Sequence, residues 1–273
     1  YDPARVKEIL TSVDLSKVVR VTPRKADVQS NNLMLPPHRL AEQQQGGTWS
    51  ELFNSDAPQN QSQILGVILW YGSVFLVGLI TYPLLRFVFP GVADRGYPLA
   101  RLAGLLILAW SVWLAGSVQI PFSRLSIAVV LAVMALIGVL LAIIQGEEIK
   151  RTWKRRWTYF LIVEGLFLAF FLAGLLIRYG NPDLWHPWKG GEKPMDFSYF
   201  NAVLKSTSFP PYDPWFAGGY INYYYYGYVI VGVLVKFLGL VPSFAYNLIL
   251  PTLFAMIAIG AFSPLRGFVG SKD

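Results

Sequence analysis

Apolar runs at residues 64–89, 99–120, 125–145, 158–177, 224–240 and 244–262 constrain this chain more than any other feature. Crossing the hydrocarbon of a bilayer takes about 20 apolar helical residues. Within lipid every backbone N–H and C=O must be satisfied inside its own segment, so such runs have to be helices. The runs predict an all-α integral membrane protein with about six transmembrane helices. The fifth is the shortest and carries Lys236 near its end, so its limits are the least sharply drawn. Composition agrees: 14% of residues are charged, where an ordinary soluble domain has roughly a quarter.

Residues 1–63 read differently. Positive and negative side chains balance there, and 31–63 is rich in Asn, Gln, Pro and Gly. This is a polar tail or linker with too little apolar matter for a core of its own. The membrane half, 64–273, therefore carries the whole net charge of +7. Its basic residues are grouped. Lys150, Arg151, Lys154, Arg155 and Arg156 fill the loop 146–157, and Arg95 lies in the loop 90–98 with Arg86 and Arg101 beside it. The intervening loop holds only Arg124. By the positive-inside rule loops 90–98 and 146–157 are cytoplasmic, and the tail and the loop 179–222 are extracytoplasmic, as in a multi-pass plasma-membrane protein. Such grouping fits lipid headgroups as partners and not nucleic acid. Neither phosphate-binding glycine motif, GxxxxGK[ST] or GxGxxG, occurs. Cysteine is absent, which excludes disulfides and thiolate metal sites. The chain opens on Tyr1 and stops soon after an apolar run, the expectation for a piece of a longer polypeptide with further membrane domains.

The loop 179–222 is long for a segment without function. It holds Asp183, Glu192, Asp196 and Asp213, together with His186, and prolines that forbid one continuous helix. Residues 196–205 have the spacing of a short amphipathic helix lying along the membrane surface, with Phe197, Phe200 and Leu204 on one side and Asp196 at its N-cap. Glu192 and Asp196 are four residues apart and suit a general base beside a second charge. With Asp183 and His186 they also suit a divalent cation such as Mg²⁺ or Mn²⁺. The competing readings are a salt bridge to Lys189 or Lys193 for Glu192, helix capping for Asp196, and a backbone hydrogen bond for His186. Lys189 and Lys193 flank Gly190-Gly191 and suit an anionic group such as a lipid phosphate. Trp188, Tyr223 and Tyr224 are candidate substrate-binding rings, although interfacial anchoring explains most of the run Tyr223–Tyr226 with Tyr228. Glu164 falls inside the fourth run, within reach of Arg155 or Arg156, and reads as structural.

The strings NPDLWHPWKGGEKPMD and FPPYDPWFAGGYINYYYYGY, with PLLRFVFPGVADRGYPLARLAG upstream, resemble the YYY family of bacterial and archaeal multi-pass membrane proteins. More distantly, the acidic loop, surface helix and following Gly/Pro/aromatic stretch are similar to C-type (GT-C) glycosyltransferases, which use polyprenyl-phosphate sugars. This second resemblance implies a GT-C-like fold with a membrane-parallel helix in the outer loop, and Asp196 or Glu192 activating an acceptor hydroxyl. It also implies Lys189, Lys193 or His186 at the lipid phosphate. Two departures stand out: the acidic loop follows the fourth run instead of the first, and the acids are spaced E-x-x-x-D instead of being adjacent. The expected function is a glycosyltransferase unit acting on a polyprenyl-phosphate sugar donor. The alternatives are a non-catalytic assembly subunit of a membrane complex and, third, a transporter.

Overall fold

The computed structural model describes residues 3–12, 37–92, 94–184, 191–216 and 219–269. It is helical throughout, with one isolated bridge, Tyr212 to Tyr220, among the described residues. The helices are α1 (Pro3–Ser12), α2 (Pro37–Gln44), α3 (Trp49–Leu52), α4 (Pro58–Gln61), α5 (Gln63–Val88), α6 (Ala100–Ser117), α7 (Arg124–Ile144), α8 (Gly146–Gly180), α9 (Lys193–Lys205), α10 (Tyr226–Leu238) and α11 (Pro242–Val269). A 3₁₀ turn, Tyr97–Leu99, leads into α6. Five of these helices are long and apolar enough to cross a bilayer: α5, α6 with its leading turn, α7, α8 and α11.

The bundle is built on close approaches. A Cβ on Gly138 of α7 would overlap the carbonyl oxygen of Ile80 on α5. One on Gly104 of α6 would lie 2.6 Å from Val77 Cγ1. Small residues let membrane helices pack backbone to backbone, which is where their attraction comes from once both faces are apolar. Ser62 and Ser123 start α5 and α7 by accepting the N–H of the residue three further on. Helix α8 is not one rod. Arg156 leaves helical geometry (φ −128°, ψ 21°) and divides it into a basic first part and the spanning part. Residues 146–157, expected as a loop, are thus mostly helix.

The fifth apolar run does not cross. Helix α10 has 13 residues, or about 20 Å of rise against about 30 Å of hydrocarbon. Both of its ends lie at one end of the bundle. Tyr225, just before it, accepts a hydrogen bond from Trp113 Nε1 in the last turns of α6 at 2.9 Å. At its other end Lys236 O accepts from Arg124, which opens α7, and Leu238 O accepts from Gln59, just ahead of α5. Gly239, in the left-handed region (φ 66°), then stops it. The run is apolar on every side because protein surrounds it: Gly232 packs on Phe200, Val203 and Leu204 of α9, and Val229 and Val233 to Val235 are buried. An all-round apolar helix is as consistent with a protein core as with a span.

The last helix consequently starts at the same end as α10. Helices α8 and α11 run antiparallel, Phe170 against Phe254 (5.4 Å), Tyr159 against Phe262 (6.3 Å) and Arg178 bonded to Asn247. Residues 47–62, 191–216 and 219–241 cover one end, hereafter the loop end, and residues 89–92, 94–99 and 145–157 the other, the basic end. The arm is fastened to the loop end. Leu52 and Phe53 are buried, and Asn60 donates to Gly239 O at 2.9 Å and accepts from Val241 N at 3.0 Å.

Charged groups inside the bundle are paired at the basic end. Glu164 bonds Arg101 and accepts from Tyr97 at 2.6 Å, not from Arg155 or Arg156 as its position along the chain suggested. Arg101 also stacks on Phe167 (4.1 Å). Asp94, buried, accepts from Tyr159 (2.6 Å), Ser263 (3.0 Å) and the N–H of Gly96 (2.9 Å). Arg86 donates to Gln145, Tyr82 and Thr152. A carboxylate or guanidinium at this depth persists only with such partners.

Candidate functional site

The site at the loop end is assembled by α9, the first turn of α10 and the strap between them. Pro194 at the second position of α9 suits a helix start, where a missing N–H costs nothing. The helix begins at Lys193 with Glu192 as the capping residue, so Asp196 lies in the first turn and is not the N-cap that its position predicted. Its N–H bonds Glu192 O at 2.9 Å, and the two carboxylates therefore sit one turn apart on one face. The apolar side of α9 is turned inward. Phe200, Val203 and Leu204 are fully buried against α10 and α11, and Phe197 meets Tyr246 edge to face at 5.9 Å.

Asp196 Oδ1 accepts the hydroxyl of Tyr228 at 2.5 Å. Burial first, and then that hydrogen bond to a carboxylate, push the Tyr228 hydroxyl well above the usual phenol range. Tyr223 and Tyr224 stand in front with their rings 3.9 Å apart and about half exposed. The Tyr224 hydroxyl is pushed up to about 12, chiefly by its hydrogen bond with Tyr223 and then by burial and by the nearby charges of Tyr223, Glu192 and Asp196. Both acids thus lie within electrostatic reach of that hydroxyl. Tyr225 and Tyr226 turn the other way: Tyr225 stacks on Phe209 (6.1 Å) and Tyr226 meets Trp113 (5.6 Å). The four-tyrosine run is thus two anchors and two site residues.

Of the other expected site residues, Asp213 is used in its own turn. Its carboxylate accepts the N–H groups of Trp215 (2.8 Å) and Phe216 (3.2 Å), although Tyr199 of α9 lies within its electrostatic reach. Asp183 offers its backbone oxygen to Arg178. Lys193 opens α9 half-buried. His186, Trp188 and Lys189 lie outside the described residues, and so do the expectations placed on them. Among the described residues no three His, Asp or Glu side chains gather as a metal centre; Glu192 and Asp196 are the carboxylate pair present. Sequence reasoning passed over three residues that the fold brings in. Tyr246, from α11, lies within electrostatic reach of both Asp196 and Arg178. Arg178 ends α8 without a charged partner among the described residues. Trp215 folds over α9 and donates to Ser198 at 2.9 Å. Only Arg178 had a signal in the chain, as a lone basic residue at the loop-side end of an apolar run.

Fold and site together define a polytopic, all-helical membrane protein with a half-open pair of carboxylates, walled by tyrosines, at one end of its bundle. The chain belongs to the family described as uncharacterized membrane protein (DUF2298), whose model matches residues 107–272 and so takes in α7 to α11 and the whole site. No curated protein and no solved structure matches it.

Proposed function

We propose that the loop end is the active site of a membrane glycosyltransferase unit that takes a sugar from a polyprenyl-phosphate donor, GT-C-like in its outer loop. The observation that carries this reading is Asp196, half-buried, with one carboxylate oxygen fixed by Tyr228 at 2.5 Å and two exposed tyrosine faces alongside. A carboxylate held in one orientation is what a general base needs. Tyrosine faces stack on sugar rings while their hydroxyls bond sugar hydroxyls. In the transfer, the acceptor oxygen bonds the sugar's anomeric carbon as the bond from that carbon to the phosphate oxygen breaks. The bonding pair leaves on the phosphate, and the acceptor proton passes to the free oxygen of Asp196. Glu192, one turn away, orients the acceptor. The basic loops at the opposite end support a loop end outside the cytoplasm.

An assembly subunit is the second reading, favoured by Trp215 and Phe216, which stand 64% and 71% exposed on the same loop. Donor choice separates the two. The full-length protein in vesicles is offered polyprenyl-phosphate sugars and nucleotide sugars with a panel of hydroxyl acceptors. The expected result is transfer from lipid-linked donors alone. Transfer from nucleotide sugars removes the polyprenyl-phosphate donor, and transfer from none of the donors removes the enzymatic reading.

A further inference from the structure

We infer that the groove between the loop-side ends of α5, α8 and α11 seats the donor lipid, its prenyl chain in the groove and its phosphate on Arg178; this rests on the transferase reading above. The groove has about 490 Å³ of open volume, walled by apolar side chains such as Ile64, Ile68, Leu175 and Leu248. That is the size and lining of a small-molecule site. Ile64 and Ile68 are 75% and 60% exposed, so the groove opens sideways, where a bilayer lipid enters without leaving the hydrocarbon.

Polar groups gather at the head of the groove. Arg178, Asn247 and Gln63 line it. Arg178 Nε donates to Asn247 Oδ1 at 2.7 Å and one Nη2 hydrogen goes to Asp183 O at 3.2 Å. A guanidinium has five N–H donors, so three remain, and no carboxylate neutralises the charge among the described residues. Asn247 holds the fork in place, which lowers the ordering cost of binding a phosphate through parallel hydrogen bonds. The groove head also adjoins the carboxylate site. Tyr246, the neighbour of Asn247 on α11, meets Phe197, the neighbour of Asp196 on α9, edge to face at 5.9 Å, so one line of contacts joins phosphate seat and base. A donor whose phosphate rests on Arg178 thus presents its sugar across Tyr246 towards Asp196.

The test uses the full chain in vesicles and a photoreactive farnesyl phosphate, with labelled peptides mapped by mass spectrometry. Label is expected on the first turns of α5 and on α11 around Leu248. Arg178→Gln is expected to lower labelling roughly tenfold, the worth of hydrogen bonds to a charged group. Ile68→Trp, which fills the groove and leaves Arg178 intact, is expected to lower it as well. Equal labelling by photoreactive farnesol overturns the proposal, as does labelling indifferent to both substitutions. Competition by excess phosphatidylglycerol as effective as that by polyprenyl phosphate also overturns it, because the groove then takes any anionic lipid. Transfer assays on Asp196→Asn keep the two readings apart. Loss of labelling alongside Asp196-dependent transfer sinks the groove and leaves the transferase. Normal labelling with no transfer by wild type supports the groove as a lipid-phosphate seat and sinks the transferase.

Discussion

Replacing Glu164 by Leu removes the counter-charge of a guanidinium that has almost no access to solvent. The Arg101 side chain is 5% exposed and that of Glu164 25%. Breaking a buried ion pair from one side costs about 3–5 kcal/mol, because the surviving charge is left desolvated. Two features move the expectation to the lower end. Glu164 is only partly buried, and Arg101 keeps its stacking on Phe167 at 4.1 Å. One feature moves it up, since the Tyr97 hydroxyl loses its acceptor at 2.6 Å, a cost of about 1 kcal/mol. The balance is a loss of about 3–4 kcal/mol for Glu164→Leu. Arg101→Met is expected to cost a similar amount by stranding the carboxylate. The double variant should cost less than either single change, because an apolar pair of similar volume often replaces a buried ion pair at little cost. Denaturant titration in mixed micelles, followed by tryptophan fluorescence, measures all four proteins. A Glu164→Leu midpoint within about 0.5 kcal/mol of wild type, or a double variant at the sum of the singles, refutes the reasoning.

Three further outcomes are expected. Asn60→Ala removes bonds to Gly239 O, Val241 N and Asn54 O, costs about 1–3 kcal/mol, and shows as faster hydrogen exchange at Val241 and easier proteolysis of 47–62. Gly138→Ala forces α5 and α7 apart and lowers Tm, at about 1–3 kcal/mol, whereas Gly72→Ala, whose Cβ would meet nothing within 4 Å, leaves it unchanged. Tyr223→Phe brings the Tyr224 titration down from about 12 towards the ordinary phenol value, read by tyrosinate absorbance. The sign follows from the raised folded value: the linked stability is complete below the ordinary phenol pKa near 10 and lost as pH rises towards 12, so Tyr223→Phe narrows the alkaline window.

The spanning helices were legible because crossing a bilayer leaves a length of uninterrupted apolar chain. The run 64–89 became Gln63–Val88 and 125–145 became Arg124–Ile144, within one residue at each end. The run 224–240 carried the same signal for a different reason. Lys236, read there as an oddity near a boundary, is buried, donates to Ser206 O at 2.7 Å and lies over Phe122. That environment is the inside of a protein, and hydropathy alone does not distinguish it from lipid. The site was legible where neighbours in sequence are neighbours in space, as Glu192 and Asp196 are across one helical turn. It was not legible where partners come from elsewhere. Tyr246 follows Asp196 by fifty residues and Arg178 precedes it by eighteen, and only the return of α11 along α8 brings them together. Glu164 shows the same limit, since its partner Arg101 lies on another helix and not in the adjacent basic stretch.

The proposed transfer requires Asp196 to take a proton from an acceptor while a lipid-linked sugar reacts beside it. Single-turnover consumption of a labelled polyprenyl-phosphate sugar by the full-length protein in vesicles measures that step. Asp196→Asn keeps an acceptor oxygen for Tyr228 but removes the base, so the rate is expected to fall by about 10²–10⁴ with donor binding and Tm unchanged. A rate within a factor of a few of wild type in that folded variant would contradict the account.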